Sequence, residues 1–426
     1  MLTTMSSALV PRPAFAAEST QAGQVSTSDL YLLPALDEAL LKSPRAAAIR
    51  SQLPIAKSGY LQATVMPNPS FIYLQNFRAD QVQEVGAAIP VEPPWKLAFR
   101  LLAAKRQITQ TDLEIVQNLW TLRADIRRAY LDLIIANEMS ALETELASIF
   151  RQFLDAAQEK YKAGAVAQIE VEKARLATEQ AEIEVERQSQ RVVLARQHLN
   201  IIMGRNVDAA LAVPRLQSVI AQPEQSKLLP DFTHDVRPLS EFIHEAMEYR
   251  PQLRVIQQAI KTNGANLANT FGNIASNPVL TFGHLTANDI GPTNGITKGY
   301  WAGVTVDVPV FDVQQGNIAR LRATVKQLRC ELEAQKNIAT DQVAAAYRRL
   351  IIARQVTRSY QERVLATSKT VVQMTKESYQ YGRSDITSAL VAAQLNIQTQ
   401  TQYLTAVSDY QQALTDLEQA VGKPLE

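Results

Sequence analysis

The sequence predicts a mainly α-helical chain built twice on one plan, in which short β-hairpins feed very long helical hairpins. Three observations carry this. Helix breakers are missing over two long spans, apolar residues recur at steps of three and four, and landmarks of the first half return in the second.

Residues 95–213 contain no Pro, and their only Gly are Gly164 and Gly204. Residues 310–421 contain no Pro, and their only Gly are Gly316 and Gly382. Each Gly or Pro costs a helix interior about 1–3 kcal/mol, so such spans favour long helices. The apolar series Leu119, Leu122, Ile126, Ala129, Leu133, Ala136 continues through Met139, Leu142, Leu146, Ile149 and Phe153. That is the seam of helices packed as in coiled coils. The pattern predicts a helix over about 97–160, about 95 Å long at about 1.5 Å per residue. Return helices are expected over 168–203 and 385–421.

Each block breaks at one Gly with a Tyr three residues earlier, Tyr161 before Gly164 and Tyr379 before Gly382. Glycine just past a helix end lets the chain turn back. The hairpin tips are therefore placed at 161–170 and 379–388.

The duplication extends beyond the hairpins. Glu38-Ala39-Leu40 with Pro44 matches Glu245-Ala246-Met247 with Pro251, and Asn68-Pro69 matches Asn277-Pro278. Pro90-Val91 matches Pro309-Val310. One repeat thus covers 18–204 and the other 241–426. The segment 205–240, with Pro214, Pro223, Pro230 and Pro238, reads as the connector. Residues 1–17 end in Ala14-Phe15-Ala16-Ala17, small residues of the kind found at a signal-peptide cleavage site.

Strands are expected over 69–77, 82–90, 278–286 and 300–308, giving β-hairpins at 69–90 and 278–308 with a longer loop, Ala287–Gly299, in the second. Tyr300, Ala302, Val304, Val306 and Val308 alternate with Trp301, Gly303, Thr305 and Asp307. One face is apolar and the other mixed, a pattern shared by soluble hairpins and membrane barrels.

Composition narrows the function. Lys plus Arg number 43 against 42 Asp plus Glu, which argues against nucleic acid as a partner. One Cys and four His make a disulfide framework impossible and a metal centre improbable, so neither metal nor cofactor is expected. No run of 18 apolar residues is available for a transmembrane helix, whereas a membrane strand needs only about 9–11 residues. No H-E-x-x-H, G-x-S-x-G or P-loop pattern occurs, so no enzyme is expected. Charges along the helices read mostly as solvated faces, and the methionines as core filler.

In this order, spacing and duplication the chain resembles the TolC-like outer-membrane factor (outer membrane efflux protein) family. The Asn-Pro hairpins look nearest its heavy-metal efflux branch. The resemblance implies a homotrimer whose twelve strands close a β-barrel in outer-membrane lipid above a twelve-helix periplasmic tunnel. It implies a passive efflux or secretion channel, docked to a periplasmic adaptor (membrane fusion protein) and an inner-membrane pump. It also implies a gate at the hairpin tips, with Glu170, Tyr379, Arg383 and Asp385 as candidates and Arg383 as the cation. Arg383 stands one position earlier than the gate Arg of the family. Ser388 and Val391 stand where some relatives carry constricting Asp. On the barrel, Tyr300, Val304 and Val306 become the lipid-facing candidates. The competing reading is a soluble periplasmic coiled-coil scaffold or adaptor.

Overall fold

A computed structural model describes residues 29–75, 82–216, 236–288 and 296–425. The expected leader and most of the connector lie outside the described residues.

Repeat 1 opens with helices α1 (Leu32–Lys42), α2 (Pro44–Arg50) and α3 (Gln52–Thr64), followed by strands β1 (Ser70–Gln75) and β2 (Gln83–Pro90). Helix α4 (Pro94–Lys162) runs for 69 residues, about 100 Å. It starts at Pro93-Pro94, earlier than the sequence suggests, because proline is well suited to a first helical turn. Helix α5 (Gln168–Met203) returns along it. Repeat 2 follows with α6 (Leu239–Tyr249), α7 (Pro251–Gly272), β3 (Val279–Asn288) and β4 (Ile296–Thr305). Its outgoing rod is α8 (Gln315–Ser359), a single π-helical turn (Tyr360–Val364) and α9 (Leu365–Gln380); α10 (Ile386–Val421) returns. The π turn was not foreseeable from breakers, since no Gly or Pro marks it. It inserts a residue into the helical phase beside α10, where the Tyr360 hydroxyl donates to Gln402 Oε1 at 3.2 Å.

The strand ends differ from the sequence expectation. β3 and β4 pair out to Asn288 and Ile296, so the expected loop Ala287–Gly299 is shorter and its remainder, 289–295, lies outside the described residues. β4 stops at Thr305, which places Val306 and Val308 beyond the strand rather than within it. All four strands form one antiparallel sheet in the order β1-β2-β3-β4. The two hairpins are thus joined through β2 and β3, with Gly86 opposite Gly283 and Ile89 opposite Leu280. Only β1 and β4 remain as edges of this sheet.

The rods pack as a layer. α4 lies between α5 and α10, and α10 in turn packs on α8 and α9. Apolar seams run the length of this layer. One cluster joins Leu122, Ile126, Tyr130 and Leu133 to Leu36 of α1 and to Leu199 and Met203 of α5. A second joins Phe150, Phe153 and Ala157 to Val171, Tyr379, Ile386 and Ile397 near the tips. A third joins Phe242 to Val343, Leu350, Tyr410 and Leu417. Not every charge on the rods is solvated. Glu418 of α10 is buried and accepts from Arg127 at 2.7 Å and Arg123 at 3.0 Å, both on α4. Nor are all methionines core: Met203 is buried, while Met66 and Met374 are exposed.

Corresponding positions of the two halves make similar contacts. Arg205, just past α5, clasps Glu38 of α1 with two hydrogen bonds, at 2.6 and 2.8 Å. Lys423, just past α10, reaches Glu245 of α6 at 2.9 Å. The glycine before each cation has positive φ and lies against the start of a helix, α2 for Gly204 and α7 for Gly422. A Cβ on Gly204 would come 3.1 Å from Ser43 Cα, and one on Gly422 2.6 Å from Arg250 Cα.

Candidate functional site

Strand alternation gives the sheet two unlike faces. The register places three rows on the first: Val304–Leu280–Ile89, Ala302–Phe282–Ala87–Phe71, and Tyr300–His284–Val85–Tyr73. Nearly every member is apolar, yet Tyr300 is 91% exposed, Phe71 73% and Val304 64%. A polar row, Lys298–Thr286–Gln83–Gln75, borders the rows at the loop end. Tyr73, whose hydroxyl donates to Gln75 Oε1 at 2.9 Å, and Tyr300 stand beside that border. Aromatic residues between an apolar band and a polar rim are the pattern of a membrane–water interface. Val306 is also exposed but lies one residue past β4. The opposite face carries Ser70, Glu84, Gly86, Thr281, Gly283, Gly303 and Thr305, smaller or more polar, beside the larger Ile72, Leu74, Val279, Leu285 and Trp301.

At the other end of the rods, Gly164 and Gly382 adopt φ of +74° and +71°. Gly164 N–H donates to Tyr161 O at 2.9 Å and Ala165 N–H to Lys160 O at 2.8 Å. Gly382 N–H donates to Tyr379 O at 3.1 Å and Arg383 N–H to Ser378 O at 2.8 Å. Both turns therefore satisfy the last helical carbonyls in the same paired way.

The four gate candidates take different places. Tyr379 is only 2% exposed, wedged between the two hairpins with its ring edge-on to Phe153 at 5.8 Å. Burial, and secondarily the charge of Glu170, pushes its phenol above the ordinary tyrosine range. Glu170 is half-buried in the first turn of α5. Asp385 caps α10: its carboxylate accepts from the Ser388 backbone N–H at 3.3 Å and from the Ser388 hydroxyl. Those bonds hold its carboxyl below the usual range. Arg383 is exposed and pairs with no carboxylate among the described residues; its guanidinium lies 5.9 Å from the Tyr381 ring.

The cation that does reach Tyr379 is Lys160, which sequence reasoning missed. Its Nζ lies 3.9 Å from the ring centroid and donates to Tyr379 O at 2.6 Å. Lys173 Nζ reaches Thr387 Oγ1 at 3.3 Å, and Lys376 Nζ reaches Gln152 Oε1 at 3.5 Å. No local pattern marks these lysines, because each partner is a neutral group more than 200 positions away. Above the tip, a cleft of about 800 Å³ between α4, α5 and α10 has a mixed lining: glutamines such as Gln394 and Gln398, charges of both signs from Glu143, Glu184, Lys173 and Arg187, and apolar side chains such as Phe150 and Ile397. Among the described residues no three His, Cys, Asp or Glu converge as a metal site, and no helix is long and apolar enough to cross a membrane.

A chain with two tip-turned rods of about 100 Å and one sheet with an exposed apolar face has the architecture of a segment of a membrane-inserted tunnel. The TolC-like outer-membrane channel fold read as a resemblance from the sequence is the fold this chain has. The cobalt-zinc-cadmium resistance protein CzcC of Cupriavidus metallidurans is 22% identical over 381 residues, 88% of this chain and 86% of that protein. The solved structure of CusC superposes with a TM-score of 0.72 at 16% identity, covering 93% of this chain and 92% of that one. The outer membrane protein VceC of Vibrio cholerae superposes at 0.70 with 14% identity, covering 93% and 97%. No protein-family model matches the chain.

Proposed function

We propose that this chain is the outer-membrane channel subunit of a tripartite efflux system, conducting solute passively across periplasm and outer membrane. The observation that carries the reading is the sheet's first face, with three apolar rows left in solvent and bordered by a polar row. A soluble scaffold would hold Tyr300, Phe71, Phe282 and Val304 in water. Lipid accounts for them at no such cost.

One sheet of four strands cannot enclose a lumen, and its edges β1 and β4 are open. Three copies joined β4 to β1 make twelve strands, and the layered rods of each copy then make a twelve-helix wall. The exposed tips are where a periplasmic adaptor would dock, bringing an inner-membrane pump into line. Likeness to CzcC favours metal cations as cargo, at 22% identity. The cleft mixes glutamines with two acidic and two basic side chains, so no single sign of charge dominates it, which suits a duct that wets its cargo without holding it.

The gate belongs to the tips. Lys160 and Tyr379 clamp one hairpin to the other within a chain, Glu170 acts on Tyr379 through its charge, and Arg383 is presented outward for a neighbouring copy. Asp385 acts on the gate by shaping the turn.

Native mass measurement and planar-bilayer recording of the purified protein test the proposal together. Trimers that insert and conduct are expected. Monomers that neither insert nor conduct would overturn it.

A further inference from the structure

The inner row of the sheet holds a feature that conduction alone does not require. Gly86 and Gly283 face each other on β2 and β3, and Trp301 of β4 is next in the same row. Its indole lies across both glycines. A Cβ on Gly86 would come 2.9 Å from Trp301 Cζ2, and one on Gly283 would come 2.8 Å from Cε2 and Cζ2. Any side chain at either glycine would lift the ring away from the sheet. The indole N–H is buried with no hydrogen-bond partner, so the ring is held by packing on bare backbone. One π face is thereby pressed to the wall and the other is left toward the space that this face lines.

The neighbouring row on the same face is Gly299–Leu285–Glu84–Leu74. Glu84 is two residues from Gly86 and is the only ionisable side chain this face carries along the paired strands. No cation pairs with it among the described residues, and Lys298 stands on the opposite face. A carboxylate without a partner one row along the same face from a flat indole is the combination that attracts a cation: charge draws it in, and the ring's quadrupole accepts it once partly dehydrated.

We propose that Trp301 and Glu84 form a cation-accepting collar on the inner wall of the barrel. The inference rests on the channel reading, which supplies three copies at one level. Its ligands are weakly hydrated cations, alkylammonium groups and large monovalent ions, that pass from the tunnel into the barrel, a class beyond the metal cations proposed as cargo.

The test uses the full chain as reconstituted trimers in liposomes, with Trp95→Phe and Trp120→Phe leaving Trp301 as the single indole. Planar-bilayer conductance of these trimers is recorded first; its absence would count against the channel and not against the collar. Quenching of Trp301 by caesium is expected to exceed quenching by iodide about threefold, from cation enrichment beside one carboxylate. Glu84→Gln should bring the two quenchers level, with trimer migration retained. Brominated acyl chains should leave the signal unchanged. Equal quenching by caesium and iodide in conducting trimers that retain Glu84 would overturn the collar. So would strong quenching by brominated lipid, which would put Trp301 on the outer face.

Discussion

Lys160 Nζ sits 3.9 Å over the ring of Tyr379 and donates to that residue's carbonyl oxygen at 2.6 Å, tying the tips of two hairpins together. The bond spans 219 positions of sequence. One side chain therefore makes both a ring contact and a charge-assisted hydrogen bond, each of modest strength. The proposed gate, which a docking partner would have to undo, calls for such contacts. Lys160→Met is expected to loosen the tip without impairing trimers. Single-channel conductance should rise, and adding Arg383→Ala should raise it further. Unchanged conductance in both assembled variants would assign these residues to turn geometry alone.

Tyr379 itself fills the cluster of Phe153, Ala157, Val171 and Ile386. Tyr379→Phe keeps that packing and loses only a hydroxyl that has no hydrogen-bond partner, so tip stability should change little. Tyr379→Ala should cost about 3–5 kcal/mol locally. Hydrogen exchange of amides in 150–175 and 376–395 would read the difference, with fast exchange expected in the alanine variant only.

The tip glycines and the docked glycines should respond differently. A Cβ on Gly164 meets nothing within 4 Å, so Gly164→Ala has only its left-handed backbone to strain, about 1 kcal/mol. Gly204→Ala must in addition push against Ser43 and Pro44. The melting temperature of the purified protein should fall clearly more for Gly204→Ala than for Gly164→Ala.

Acid should weaken the two clasps at the far end of the return helices. The hydrogen bond from Arg205 holds the Glu38 carboxyl below the usual range, against a smaller opposing effect of burial. For Glu245, burial pushes upward, but hydrogen bonds from Lys423 and Arg237 and their charges outweigh it. A carboxyl with a depressed folded pKa contributes stability above its unfolded value, about 4.3, and loses it as pH falls through the lower folded value. Glu38→Gln should therefore cost about 1–2 kcal/mol near neutrality. Its melting temperature should converge with the parent's as pH falls toward about 3. A deficit that persists undiminished in acid would show that the carboxylate charge is not what the clasp uses.

Glu418 is buried between α4 and α10 and accepts from two arginines of α4. Glu418→Ala removes the carboxylate that Arg127 and Arg123 share, and about 3–5 kcal/mol should be lost. On the sheet, Val304→Lys should cost about 2–4 kcal/mol if its row sits near the membrane midplane. Heat-modifiable trimer migration checks both, and full trimer yield of Val304→Lys would argue against lipid contact.

Much of this molecule was legible in its sequence because the relevant physics is local. Missing breakers over 95–213 set the length of α4 and α5, and Gly164 and Gly382 set where the chain turns, since only glycine holds a left-handed turn without strain. Matching landmarks exposed the duplication, and alternation from Tyr300 onward exposed a two-faced strand. Other features were settled only when distant segments met. That β2 pairs with β3, so that two hairpins become one sheet, depends on groups nearly 200 positions apart. Asp385 serves as a helix cap because Ser388 lies within reach once α10 has formed. Glu418 is buried because α4 and α10 bring Arg127 against it, although in sequence it looks like any surface carboxylate. Lys160, not Arg383, meets Tyr379 because α4 ends beside α9 in space. Propensity acts over a few residues, whereas the burial and pairing of a charge depend on whichever segment packs against it.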